Sequence, residues 1–447
     1  MIKKKLFSLL SFLFLFLVSG CQDSASKEFL RLNIGSEPQT LDPRKVRDLS
    51  SQTVTQLFFE GLMRLDKEGK IVGGIAEKVE ISPDGKTYTF YLREALWSNG
   101  AHVTAQDFVY SWQSALDPHF PADRAFQLYP ILHAKNAKEG KISLDQVGVK
   151  ALKENCLQIT LENPTPHFLE LTTTTPYFPV HKETALANPQ FTQQASTYVC
   201  NGPFIPKIWE KSHYLEVVPN LHYWDNKEIK LSGLQLVMVD EMTEFHMYEK
   251  GELDWAGSPL STLPVDLLSS IHNLPEFHTA PFLATFFLRV NIEKNPLTTK
   301  EIRKQLSQAI DRNSLVSYVL QGKQIPAERF VPPSMGLSTP LPLIEDAPMD
   351  KEQISSQEIH LIYTATERNH RIAQVIQAQL KDHLHIKLIL EPMERKSYLD
   401  RLSQKQFHLA LGSWTADFND PLNFLEIFKQ KNLGTNNTNW ENRQYQT

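Results

Sequence analysis

The sequence predicts an α/β protein of two or three compact lobes, and three observations carry that expectation. The chain has 447 residues, more than one core usually organises, since compact domains hold about 100–200 residues. A regular strand–helix–strand–helix–strand pattern runs from Ile359 to Leu411 with short connections, as a parallel α/β lobe requires. Hydrophobic residues make up 41% and aromatic residues 10%, enough to fill real cores.

The N-terminus sets the compartment. Lys3, Lys4 and Lys5 precede an apolar run from Leu6 to Val18, then Ser19, Gly20 and Cys21. A positive start, a short apolar segment and small residues before a cleavage point are the layout of a secretory signal. The run is shorter than the about 20 residues of a membrane span. Val18-Ser19-Gly20-Cys21 resembles a bacterial lipobox. That resemblance implies a signal peptide over 1–20, a lipid on Cys21 and a polar tether over 21–28. The protein is then expected outside the cytoplasm, on the periplasmic side, anchored to a membrane by its lipid. Removing residues 1–20 takes three of the 46 basic residues and none of the 51 acids, moving the formal charge from −5 to −8. A mildly acidic chain without a basic cluster excludes nucleic acid as a partner. Cys156 and Cys200 remain; an oxidising compartment permits a bridge, and whether they meet depends on geometry.

The elements follow in order. Phe29–Ile34 alternates as a strand, and Thr53–Met63 reads as an amphipathic helix. Pro83-Asp84-Gly85 signals a turn before a strand at Thr87–Leu92. Thr104 with Asp107 forms a capping-box-like start for a helix carrying Phe108, Trp112 and Leu116. Strands are expected at Cys156–Leu161, Tyr214–Val218 and Leu234–Val239. Phe282–Ile292 reads extended and leads into one long helical pattern from Ile302 to Val319, with Gly322 as its stop. Pro332–Pro348 reads as a loop. Then come a strand at Ile359–Tyr363, a helix at Arg371–Leu384, a strand at Ile386–Leu390, a helix at Ser397–Lys405 and a strand at Phe407–Leu411. Open α/β sheets bind ligands beyond the carboxyl ends of their strands, which points to the loop Gly412–Asp417.

Eight segments then stand in a familiar order. They are Glu37-Pro38-Gln39-Thr40-Leu41-Asp42-Pro43, Leu57-Phe58-Phe59-Glu60-Gly61-Leu62, and Trp97-Ser98-Asn99-Gly100 with Val103-Thr104-Ala105-Gln106-Asp107-Phe108-Val109-Tyr110-Ser111-Trp112. Asn201-Gly202-Pro203-Phe204, Tyr223-Trp224, Gly251-Glu252-Leu253-Asp254, Ala309-Ile310-Asp311-Arg312 and Trp414-Thr415-Ala416-Asp417-Phe418-Asn419-Asp420-Pro421 complete the series. Together they resemble the peptide-binding family of bacterial solute-binding proteins (family 5), which serve ATP-binding-cassette importers. The resemblance implies a bilobal periplasmic-binding-protein-like fold of cluster C with an extra small N-terminal lobe. Residues 29–59 and 183–286 would build lobe I, residues 60–182 a small inserted lobe, and residues 287–447 the α/β lobe. It implies a monomer without cofactor that captures short oligopeptides by hinge closure for an inner-membrane permease. Other members take murein peptide, nickel complexes or haem, so these remain alternatives, as does a truncated paralogue without transport activity. No Gly-x-Ser-x-Gly elbow, His-Glu-x-x-His or phosphate loop points to an enzyme. His383-x-His385 is the closest histidine pair and reads as a helix end leading into a strand.

Site residues follow from the same resemblance. A receptor for varied peptides must hold their backbone and their termini. Arg47, Asp48 and Leu49 match one strand partner of the ligand, and Ser413, Trp414 and Thr415 the other. Asp417 matches the aspartate that binds the peptide ammonium. Trp414 reads equally as a pocket wall or as core. Leu411 stands where a close oligopeptide binder has an arginine, and Asn369 where it has a histidine, with His370 adjacent. Arg47, Arg124 and Arg395 fall at positions that are acidic or aromatic there. Arg124 or Arg395 is therefore expected to meet a ligand carboxylate. Asp311 and Arg312 read as a helix-end ion pair, and Trp97, Phe108 and Trp112 as core. Family members continue several dozen residues past the point matching Tyr445, so the chain reads as C-terminally shortened.

Overall fold

The computed structural model describes residues 29–336, 358–431 and 435–446. The expected leader over 1–20, Cys21, the tether and the loop from residue 337 onward lie outside the described residues.

The chain enters through strand β1 (Phe29–Asn33) and helix α1 (Leu49–Thr55). The helix expected at Thr53–Met63 thus starts four residues earlier and stops at Thr55. Asp48 sets the start, because its carboxylate accepts from the Ser51 N–H at 3.1 Å and the Ser51 hydroxyl at 2.7 Å. Tertiary pairing sets the stop. Gly202 and Phe204 donate their N–H groups to the Phe58 and Leu57 carbonyls at 2.7 and 3.0 Å. Phe58, Phe59 and Leu62, the apolar pattern behind the longer helix, are buried as irregular chain.

Six strands follow: β2 (Met63–Leu65), β3 (Ile71–Gly73), β4 (Ala76–Ile81), β5 (Thr87–Leu92), β6 (Val149–Lys153) and β7 (Cys156–Thr160). The last four form an antiparallel sheet in the order β4-β5-β7-β6. Helix α2 (Ala105–Leu116) packs on it behind the expected capping box, with Asp107 accepting from the Thr104 N–H at 2.9 Å and from Trp97 Nε1 at 3.3 Å. Trp97, Phe108 and Trp112 are fully buried, as expected. The chain returns through β8 (Phe204–Glu210), β9 (Tyr214–Pro219) and β10 (Gly233–Val237), giving a second sheet ordered β1-β10-β9-β8. One continuous hydrophobic core joins both sheets. Cys200 lies in it, Cys156 is buried in β7, and both are free thiols; burial pushes the Cys200 thiol up to about 12.

Beyond α3 (Glu241–Glu249) and α4 (Val265–Ile271) lies the α/β lobe. It contains β11 (Ala284–Val290), α5 (Lys300–Ala309), β12 (Glu358–Thr364), α6 (Glu367–Leu384), β13 (Lys387–Met393), α7 (Arg395–Ser403) and β14 (Leu409–Thr415). The sheet order is β11-β14-β12-β13, with β12 parallel to both neighbours and β11 antiparallel to β14. β11 crosses the expected boundary after residue 286.

Four further expectations are corrected. The long helix is broken: Ile310 leaves helical geometry, and Asp311 caps a restart by accepting from the Asn313 and Ser314 N–H groups at 3.0 and 3.1 Å. A π-helical turn ends at Gln321, whose φ of 52° makes it, and not Gly322, the left-handed stop. Arg312 donates to the Ser307 and Ile310 carbonyls instead of pairing with Asp311. The last strand also runs four residues further than Leu411, because β11 keeps pairing through Ala284 and Thr415. Gly412, Ser413, Trp414 and Thr415 are therefore strand, and the loop starts at Ala416.

Candidate ligand site between the lobes

β14 has two different edges. β11 pairs with all of it, whereas β12 pairs only at Leu409 and Ala410. The edge from Leu411 to Thr415 has no strand beside it among the described residues. It leads into Asp417, whose side chain is only 3% exposed. One oxygen of this carboxylate accepts from the Arg124 guanidinium and from Gln127 Nε2 at 2.6 Å. Asn423 accepts the Asp417 N–H at 3.2 Å and the Trp414 indole N–H at 2.9 Å, fixing both residues.

Arg124 comes from the other half of the molecule and is 6% exposed along its side chain. It also donates to Gln52 Oε1 on α1 at 2.9 Å, and its guanidinium lies 5.6 Å from the Trp414 ring centre. Two atoms of this group lack a partner: Arg124 Nε and Gln127 Oε1, both buried.

A second contact joins α7 to the first lobe. Arg395 Nη2 donates to Asp48 at 2.9 Å, so the carboxylate that caps α1 also holds α7. Arg47 donates to Asp400 at 2.8 Å, to Asp123 at 3.3 Å and to the Ser403 hydroxyl at 3.1 Å. Burial alone would lower the Arg47 pKa, but Asp400 and Asp123 carry it above its ordinary value. Leu49, the first residue of α1, lies half-buried beside them. Both arginines expected to meet a ligand carboxylate thus sit on carboxylates of the chain itself: Arg124 on Asp417 and Arg395 on Asp48.

Asn369 and His370 stand apart from both contacts. Asn369 Nδ2 donates to the Thr364 carbonyl at 3.1 Å, and His370 Nδ1 lies 2.6 Å from the Tyr363 hydroxyl. Leu411 is core against α6. Trp414 packs on the cluster of Val331, Met335 and Phe424, and its ring lies 5.6 Å from the Arg124 guanidinium. His383 Nδ1 lies 3.0 Å from the Ala309 carbonyl, and His385 ends α6 in left-handed geometry. Among the described residues no three His, Cys, Asp or Glu side chains gather as a metal site. No helix among them is long and apolar enough to cross a membrane.

Arg289 was not singled out from the sequence. Its guanidinium crosses β14 over Gly412 and donates to the Ser413 carbonyl at 3.0 Å. A Cβ at Gly412 would lie 2.3 Å from Arg289 Nη1 and 2.8 Å from the Tyr398 hydroxyl, so this glycine makes room for the cation. Arg289 is buried and forms no ion pair with a carboxylate among the described residues, and burial lowers its pKa. The available signal was a lone arginine inside the apolar strand Ala284–Val290.

The comparisons with known proteins agree with this geometry. The family described as bacterial extracellular solute-binding proteins, family 5 Middle, matches residues 70–436. The oligopeptide-binding protein OppA of Bacillus subtilis is 38% identical over 446 residues, covering 95% of this chain and 82% of its own. The crystal structure of Haemophilus influenzae OppA in complex with RPPGFSPFR matches with a TM-score of 0.88 at 28% identity, over 94% of this chain and 86% of that one. The Escherichia coli murein tripeptide binding protein MppA matches with a TM-score of 0.87 at 30% identity, over 94% and 86%. Its unliganded open form, with 94% of this chain and 84% of that one covered at 30% identity, reaches only 0.61. The lobes here are therefore arranged more as in the peptide complex than as in the open form, with the arginine–carboxylate contacts between them. The chain belongs to the bacterial extracellular solute-binding proteins of family 5.

Proposed function

We propose that this protein is a lipid-anchored, extracytoplasmic receptor that captures short oligopeptides for an ATP-binding-cassette importer. The observation that carries this reading is the stretch of β14 from Leu411 to Thr415, which has no strand beside it among the described residues, only the Tyr398 and Arg289 side chains on its Leu411 and Ser413 carbonyls, and which ends at the buried Asp417 between the lobes. An extended peptide is the ligand that such an edge completes, since main-chain hydrogen bonds suit any sequence. On this reading Arg47 and Asp48, which lie against α7, and Leu49 beside them contact the ligand from the first lobe, Asp417 takes the ammonium end, and Arg289 offers a cation to a ligand carboxylate. Residues 29–59 and 183–286, with the insert 60–182, move as one side of the hinge. The α/β lobe forms the other, as in domain closure around ligands. Cys21 carries the lipid, the protein acts as a monomer, and its role is capture and delivery, not catalysis. Relatives that bind oligopeptides and murein tripeptide are similarly close, so both ligand types belong in the test.

The test is calorimetry on ligand-stripped, refolded protein with di- to pentapeptides and murein tripeptide. A Kd of about 1 μM or tighter is expected, falling at least about tenfold in affinity when a central peptide nitrogen is methylated. A folded protein that binds none of these peptides is not a peptide receptor.

A further inference from the structure

We propose that Arg124 is a specificity-determining residue: it competes with the ligand's ammonium for Asp417, and so suppresses selection for a free amino terminus. The inference rests on the peptide-receptor reading above. A carboxylate as enclosed as Asp417 must be paired, and here the partner comes from the chain. The guanidinium is held on three sides, by Asp417, by Gln52 Oε1 at 2.9 Å and by the Trp414 ring. A peptide ammonium brought to the same carboxylate would place two cations on one anion in a water-poor site. Binding through the ammonium is therefore an exchange: Arg124 leaves Asp417 as the ligand arrives.

The unpartnered atoms sharpen the chemistry. Arg124 Nε–H is a buried donor and Gln127 Oε1 a buried acceptor, both beside Asp417 and both without a hydrogen-bond partner. Both atoms are closed to solvent while Arg124 lies on Asp417, so a ligand reaches neither until the arginine moves. An acylated amino terminus carries no charge to set against Asp417 and leaves the arginine in place. A free ammonium gains Asp417 only after the exchange. The wild-type site therefore takes blocked and free termini about equally, and removal of Arg124 turns it towards the free amine.

The test compares a free tetrapeptide with its N-acetylated form by calorimetry on the full chain, for wild type and for Arg124→Gln. Wild type is expected to bind the two within about threefold. Arg124→Gln is expected to bind the free peptide more tightly than wild type does and to prefer it by about tenfold or more. Arg124→Lys, which keeps a cation there, should hold the ratio near the wild-type value. An unchanged ratio in Arg124→Gln overturns the competition while leaving the peptide receptor standing. A wild-type preference for the free amine beyond about tenfold overturns it without any variant. If neither wild type nor variant binds either peptide, the receptor reading itself fails and the competition with it.

Discussion

Glu60 and Asp417 are two buried carboxylates in opposite situations. Glu60 is buried in the N-terminal half at 6% exposure, and its partners come from that same half. Tyr223 donates at 2.9 Å, the Trp224 indole at 2.5 Å and Arg64 at 3.3 Å. None of these donors carries an unpartnered buried atom. The nearby orphan, Arg93 Nε, belongs to a guanidinium lying 3.7 Å from the Trp224 ring centre and not to a donor to Glu60. Asp417 takes its cation from across the cleft, and the two groups that bind it most closely each keep one polar atom unsatisfied. The difference separates a carboxylate that holds a core from one that holds a closure. The first has no alternative arrangement; the second spans two lobes, whose separation would return both charges to water.

That contrast sets the largest effect. Glu60→Ala removes the acceptor from a buried donor, a half-buried donor and a cation, and no lobe movement relieves them. A loss of about 3–5 kcal/mol of unfolding free energy is expected in denaturant titration. Asp417→Ala has an escape, so the cost should appear as opening: a larger radius of gyration in solution scattering, with about 1–3 kcal/mol lost on unfolding. Equal losses for the two variants, without expansion of the Asp417 variant, would break the comparison.

A smaller effect sharpens it. Burial raises the Glu60 pKa above its ordinary value, although Trp224, Tyr223, Arg64 and Arg93 all act to lower it. With the folded pKa raised, folding favours the protonated acid. Its contribution is least unfavourable below the ordinary glutamate value of about 4.3, and worsens as pH rises through the folded pKa. Unfolding free energies of wild type and Glu60→Gln, measured from about pH 4 to about pH 8, should diverge, with wild type losing ground as pH rises. The opposite slope would mean that the donors, and not burial, control this group.

Much of the fold was legible because the signals were local. Thr104 and Asp107 announced a capping box that forms as read, and the alternation from Ile359 to Leu411 announced the parallel sheet. The failures arose where distant chain segments decide. Phe58, Phe59 and Leu62 have helical spacing, but pairing with residues 202 and 204 draws them into irregular chain. Asp311 sits inside a helical period and restarts the helix instead, because a carboxylate that can cap competes with a continuous turn. In the site, Asp417 was reachable from topology and resemblance together. Its link to Arg124 was not, since 293 residues separate the partners. Arg289 escaped for a related reason: its importance lies in what faces it across β14, and Gly412 gives that away only in three dimensions.

The smallest expected effect concerns Arg47, which binds Asp400 on α7 and Asp123 on the first side of the cleft at once. Its side chain is 22% exposed and that of Asp400 is 47% exposed, so water and salt screen the pair as they cannot screen Asp417. Arg47→Ala should cost about 0.2–1 kcal/mol, and less as ionic strength rises. The useful measurement is therefore the scattering radius of wild type and Arg47→Ala at low and high salt. A difference at low salt that vanishes at high salt would identify Arg47 as a screened latch beside a buried one. An equal difference at both would place Arg47 with Arg124, and the division between the two contacts would lie in geometry and not in exposure.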